Sequence, residues 1–145
     1  MIEIIKRINQ QDLTKLLQIW LETNIEAHDF IDASYWESKY QEVENALPEA
    51  TLFIYREESS CEIVGFLGLM DDYIAGLFVR KAYQRKGIGK KLLLAVQQER
   101  ECLELSVYQK NQRAYQFYLS QGFTEVKKSM DEERTEEEIS MIWYK

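Results

Sequence analysis

The sequence predicts one mixed α/β domain, residues 1–145, with a mostly antiparallel sheet flanked by about four helices. Three observations carry this. Apolar runs of strand length alternate with segments of helical spacing, which argues for an α/β fold. The middle strands are separated only by hairpin-length turns, which argues for antiparallel pairing there. No Pro/Gly/Ser-rich linker and no internal repeat divides the chain, whose single proline is Pro48.

The elements follow in order. "IEIIKRI", residues 2–8, reads as a first strand. Leu13, Leu16, Leu17, Trp20 and Asn24 recur at helical spacing, with Leu21 and Ile25 widening the face, so a helix is expected over 11–26. "HDFID", 28–32, breaks it. "ASYWESKYQEVENAL", 33–47, reads as a second helix stopped by Pro48. "TLFIYRE" and "CEIVGFLGLM" are two strands around the turn "ESS", and Cys61 is expected at a strand start. After the turn Asp71-Asp72, "YIAGLFVR", 73–80, is a third run of strand length.

A basic loop comes next, then the helical series Ile88, Leu92, Ala95, Val96 and Glu99. "CLELSVY", 102–108, is a strand. Asn111 is a good N-cap and Gly122 a good residue just past a helix end, so they bracket a short helix. "FTEVKKSM" and "ISMIWYK" close the chain as two strands, and the acidic run 131–138 between them reads as a solvated hairpin tip.

Composition narrows the function. Hydrophobic residues make up 46% and charged residues 30%, an ordinary globular balance. A net charge of −7 argues against a nucleic-acid partner, because phosphate contacts need a broad basic surface. It agrees better with a cationic or amine-bearing partner. No run approaches the roughly 18 apolar residues of a membrane helix, and the N-terminus lacks the features of a signal peptide. Cys61 and Cys102 have no metal spacing; free thiols in a reducing cytoplasm are expected, and no metal site. With the one histidine, His28, distant in sequence, neither cysteine is expected to form an acyl-enzyme.

The stretch "AYQRKGIGKKLL", 82–93, runs against the acidic whole. From 80 to 91 the cations are Arg80, Lys81, Arg85, Lys86, Lys90 and Lys91, with no acid among them. Gly87 and Gly89 sit where a helix begins. A helix N-terminus carries about four unsatisfied N–H groups and a positive dipole end, and glycine lets an anion come close to them. The pattern predicts a phosphate site. It is not a P-loop, since Lys90 is followed by Lys91 and not Ser or Thr. It is not the dinucleotide fingerprint either, since Leu92 stands at the third glycine position.

With its flanks, "LFVRKAYQRKGIGKKLL", 77–93, closely resembles the acetyl-CoA loop of the GNAT N-acetyltransferase family. The family pattern Q/R-x-x-G-x-G/A is matched by Gln84, Gly87 and Gly89. "SVYQKNQRAYQFYLSQGFTEV", 106–126, resembles the family's second block through Asn111, Ala114, Tyr118, Gly122 and Phe123. "HDFI", with Phe30, and "LPEATLFI" are similar to the YjaB-like bacterial branch.

The resemblance implies a split sheet in which acetyl-CoA wedges between strands 73–80 and 102–108. Backbone groups of Leu77, Phe78 and Val79 would pair with the pantetheine amides. Gln84 belongs to the loop pattern, and the N–H groups of Arg85, Lys86, Gly87, Ile88, Gly89 and Lys90 would hold the pyrophosphate. Asn111 would bond near the pantetheine, the Val79 N–H would face the oxyanion, and Tyr118 would be the general acid. Where some members carry a glutamate, five residues before the asparagine, this chain has Ser106. The base is left open among Asp71, Asp72, Glu104, His28 and water.

The implied activity is acetyl transfer to a primary amine, of a protein lysine, an N-terminus or a small molecule, by direct attack on the thioester. A non-catalytic acyl-CoA sensor on the same scaffold is the second reading, and the presence of Tyr118 argues against it. A nucleotide in the basic loop is the third. Many family members pair, so a homodimer is also allowed by the resemblance.

Overall fold

The computed structural model describes every residue except 132 and 134. The strands are β1 Ile2–Ile5, β2 Thr51–Arg56, β3 Ile63–Met70, β4 Tyr73–Val79, β5 Cys102–Tyr108, β6 Thr124–Asp131 and β7 Glu136–Tyr144. The helices are α1 Gln10–Ala27, α2 Ala33–Ala46, α3 Ile88–Glu99 and α4 Gln112–Ser120, with 3-10 turns at Leu47–Glu49 and Lys81–Tyr83. The strands form one sheet in the order β1-β2-β3-β4-β5-β7-β6. Every pairing is antiparallel except β4 with β5.

Local chemistry sets most boundaries. The Asn9 side chain accepts from the Asp12 N–H at 2.8 Å and starts α1; Asp32 does the same for α2 through Ser34, also at 2.8 Å. β1 is shorter than the run 2–8, because Ile5 pairs with Leu52 and the partner strand begins one residue before that, at Thr51. Cys61 is not at a strand start. It lies at φ 62 in the β2–β3 turn, which closes through bonds between Glu57 and Cys61 and between Glu57 and Glu62. The acidic run is not all hairpin tip. β7 begins at Glu136 and pairs it with Asp131, because Ile139 and Met141 must alternate inward; positions 132 and 134 lie outside the described residues.

The sheet separates two apolar layers. α1 and α2 pack Leu16, Leu17, Ile19, Trp20 and Trp36 against Leu52, Ile54 and Phe66. α3 and α4 pack Leu92, Leu93, Val96 and Tyr118 against Phe53, Leu67, Leu105, Val107 and Met141. No described helix is long and apolar enough to cross a membrane.

The sheet splits in its middle. β4 and β5 meet in a single parallel pair, Tyr73 with Glu104, anchored by the Glu104 N–H on the Asp72 carbonyl at 2.9 Å. Gly68 faces Gly76 and Leu69 faces Ile74, so Ala75 is an extra residue, a bulge that bends β4. Beyond it the two strands part and leave a fork open toward Val79 and Tyr108.

Candidate active site

The fork exposes backbone on β4. Arg80 donates to the Val64 carbonyl at 2.9 Å, opposite the register pair Val79 with Gly65. In an antiparallel ladder the direction alternates, so the peptide groups of Leu77 and Val79 face the gap. Those of Phe78 face β3. The expectation that Phe78 offers its backbone to a ligand is therefore corrected, because the neighbouring strand already uses it. Its ring lies instead against Phe66, centroids 5.0 Å apart, and over Gly76, where an added Cβ would stand 2.2 Å from it.

The glycine loop closes one end of the gap. The Gln84 side-chain amide donates to the Val79 carbonyl at 2.9 Å, which leaves the Val79 N–H as the free group facing the fork. Arg85 and Gly87 both take left-handed φ, 64° and 81°. Gly87 precedes α3 with no side-chain cap, and the first intrahelical donor is Lys91 to Gly87 at 3.0 Å. The N–H groups of Ile88, Gly89 and Lys90 thus have no helical partner and open on the cleft, as an anion site requires. Lys86 is not among the cleft-lining residues; its ammonium sits over the Tyr83 ring, 5.5 Å from the centroid.

Opposite stands α4. Asn111 caps it, Oδ1 accepting from the Ala114 N–H at 3.3 Å, and Gly122 at φ 95° ends it. Ala114, Phe117 and Tyr118 line the cleft at i, i+3 and i+4. Tyr118 is 8% exposed, its ring between Phe117 and Phe123. Burial pushes its phenol well above the usual range, so it stays protonated. Among the described residues none hydrogen-bonds its hydroxyl.

The end of α1 forms the third wall, with Thr23, Asn24, Glu26, Ala27 and His28. His28 does reach the cleft, but both ring nitrogens are engaged. Nδ1 lies 2.9 Å from the Asn24 carbonyl and Nε2 3.3 Å from Asn111 Nδ2, with Phe30, Trp36 and Tyr108 around the ring. That arrangement disfavours it as the base. Asp71, Asp72 and Glu104 do not line the cleft, because they stand at the paired end of the fork; Asp72 also faces Arg100 at 3.4 Å. Neither Cys61 nor Cys102 lines it.

Local sequence does not mark Glu26, the one carboxylate among the described lining residues, or the cations Lys110 and Arg113 at the start of α4. Their helix-terminal positions are the signal it offers. The cavity measures about 810 Å³. Lys81, Arg85 and Lys90 line the loop wall beside the N-terminus of α3; Lys110 and Arg113 line the α4 wall, where Lys110 is paired with Glu136 at 3.1 Å; Glu26 stands on the α1 wall. The basic loop with the uncapped N–H groups of α3 suits an anion. Among the described residues no group of His, Cys, Asp or Glu could hold a metal ion.

Residues 14–145 match a family model described as "Acetyltransferase (GNAT) domain". Peptidyl-lysine N-acetyltransferase YiaC of Escherichia coli is 38% identical over 122 residues, 83% of this chain and 82% of that protein. The solution structure of apo YjaB from Escherichia coli superposes at TM-score 0.83 with 26% identity, covering 99% of this chain and 97% of that one. A Bacillus anthracis protein solved in complex with acetyl coenzyme A shares the fold at TM-score 0.60 and 22% identity, over 66% of this chain and 62% of that one.

Proposed function

Because the chain belongs to the GNAT family of acetyltransferases, it takes its acetyl group from acetyl-CoA and gives it to an amine; we propose that this amine is the side chain of a lysine in a peptide or protein. The observation that carries the acceptor is the 38% identity to a peptidyl-lysine N-acetyltransferase over 83% of the chain. A carboxylate in the cleft lining, Glu26 at the C-terminal end of α1, agrees with a cationic acceptor.

In this reading the pyrophosphate rests on the N–H groups of Ile88, Gly89 and Lys90, with Arg85 near the mouth. Gly87, where an added Cβ would meet nothing within 4 Å, leaves the approach open. The pantetheine amides pair with the gap-facing groups of Leu77, beside Asn111. The neutral amine attacks the thioester carbon, and the Val79 N–H bonds the oxygen as it gains charge. The C–S bond breaks, and Tyr118 gives its phenolic proton to the departing thiolate. The excess proton on the new amide nitrogen leaves to water on the Glu26 side. The products are the acetylated amine and free CoA, and solvent returns the proton to Tyr118. We also place the enzyme in the cytoplasm, a reading supported by its two unbridged thiols.

The test is mass spectrometry of acetylation over a mixed pool of lysine peptides, peptide N-termini and small amines. Acetylated lysine ε-amines are expected. Products confined to small amines or N-termini would overturn the acceptor assignment.

A further inference from the structure

We propose that His28 is a positioning residue that fixes the Asn111 amide and, through it, the first turn of α4. The inference rests on the reading above only for its effect on turnover; the contact itself is independent of that reading.

Asn111 Oδ1 is committed to the Ala114 N–H at 3.3 Å. That identifies the other end of the amide, facing His28, as NH₂, which only donates. His28 Nε2, 3.3 Å away, therefore accepts. On the other side Nδ1 lies 2.9 Å from the Asn24 carbonyl, which only accepts, so Nδ1 carries the hydrogen. One neutral tautomer satisfies both ends. The other would set N–H against NH₂ and a lone pair against a carbonyl.

The surroundings hold the ring in that pose. His28 is 8% exposed, with centroids of Phe30, Trp36 and Tyr108 at 5.6, 5.1 and 5.2 Å. Its anchor is rigid too, because the Asn24 side chain donates to the Trp20 carbonyl at 2.9 Å. The His28–Asn111 bond thus joins elements 83 residues apart in sequence at the mouth of the fork, where the sheet offers no pairing of its own. Asn111 leads the helix that carries Tyr118 about two turns later, roughly 10 Å along the axis. A tilt of the first turn is carried to the hydroxyl.

The test joins a spectroscopic measurement to a mutant cycle. Imidazole ¹⁵N shifts of the whole protein should report the neutral Nδ1–H form. His28→Phe keeps a ring and loses both nitrogens; His28→Gln keeps a carbonyl that can accept from Asn111. Asn111→Ser keeps a helix cap and removes the amide donor. His28→Phe should lower kcat about 10- to 100-fold, as misplacement of a reacting group does, while KM for acetyl-CoA moves much less. His28→Gln should recover most of kcat. In the Asn111→Ser background, His28→Phe should cost nothing more. An Nε2–H tautomer, equal losses in His28→Phe and His28→Gln, or an undiminished effect in the Asn111→Ser background would each overturn the proposal. If the wild-type chain turned over no amine, the functional reading would fail; the ¹⁵N signature and the same cycle read on thermal stability would still decide the contact.

Discussion

The side-chain amide of Gln84 donates to the backbone carbonyl of Val79 at 2.9 Å and so fastens the glycine loop to the open end of β4. One bond sets two features of the cleft. It places the loop before α3, and it occupies the carbonyl of Val79 while its N–H stays free. Gln84→Ala should remove about 0.5–1.5 kcal/mol of that order, seen as a roughly 2- to 10-fold rise in KM for acetyl-CoA. Gln84→Glu should be worse than alanine, since a carboxylate cannot donate and faces a carbonyl. Steady-state kinetics with varied acetyl-CoA check both; a glutamate variant better than alanine would show that the bond is not what matters.

Gly89 separates folding from binding. An added Cβ would stand 3.8 Å from Leu77 and Phe117, ordinary contact, inside the first turn of α3. Gly89→Ala should therefore hold or raise stability, by up to about 1 kcal/mol from helix propensity. The methyl enters the anion path, so acetyl-CoA binding should weaken by roughly 1–3 kcal/mol, the usual cost of overpacking. Gly87→Ala should behave otherwise, because φ 81° costs an L-residue about 1–2 kcal/mol. Melting curves paired with cofactor titration distinguish the two.

Tyr118→Phe should keep the ring in its apolar layer and lose only the hydroxyl. Removal of a general acid is expected to lower kcat about 10²- to 10⁴-fold, with acetyl-CoA affinity and melting temperature nearly unchanged. Rapid-quench turnover beside calorimetric titration reads both quantities. An unchanged kcat would remove Tyr118 from the chemistry.

The same hydroxyl predicts a loss of stability in alkali. Burial raises the Tyr118 phenol above its ordinary value of 10.0, so the unfolded chain loses this proton first. The folded state then holds more protons, and stability falls as pH rises above about 10, by about 1.4 kcal/mol per pH unit from this group. Tyr108, raised by burial and by nearby acids, adds in the same direction. Denaturant midpoints at pH 9 and 11 should therefore drop less in Tyr118→Phe than in the unaltered chain.

Glu26→Gln tests the acidic lining of the cleft. The carboxylate is exposed, so its contribution is small: a roughly 2- to 5-fold higher KM for a lysine peptide, and unchanged KM for acetyl-CoA. The difference should shrink with added salt. An equal change in both KM values would mean that Glu26 does not discriminate the acceptor.

Much of this was legible in local sequence. Among the described residues, helical spacing, strand-length apolar runs and caps located the four helices and seven strands, because such patterns are enforced wherever one face meets a core. Asn111 and Gly122 marked the ends of α4 because capping and left-handed φ are local requirements. The glycine pair announced an anion site for the same reason: uncapped N–H groups are a property of one helix end.

Features that depend on near neighbours are written in the chain: the elements, their caps and the phosphate-binding turn. Tertiary structure alone decided which groups converge. Phe78 lost its backbone to β3 while Leu77 and Val79 kept theirs, because ladder direction depends on register with another strand. Lys86 went to Tyr83, and His28 went to Asn111, a partner 83 residues away. Glu26 entered the cleft, while Asp71, Asp72 and Glu104 stayed at the paired end of the fork. Reach across a gap is set by where a bulge at Ala75 bends one strand from the next, and no spacing within the chain encodes that distance.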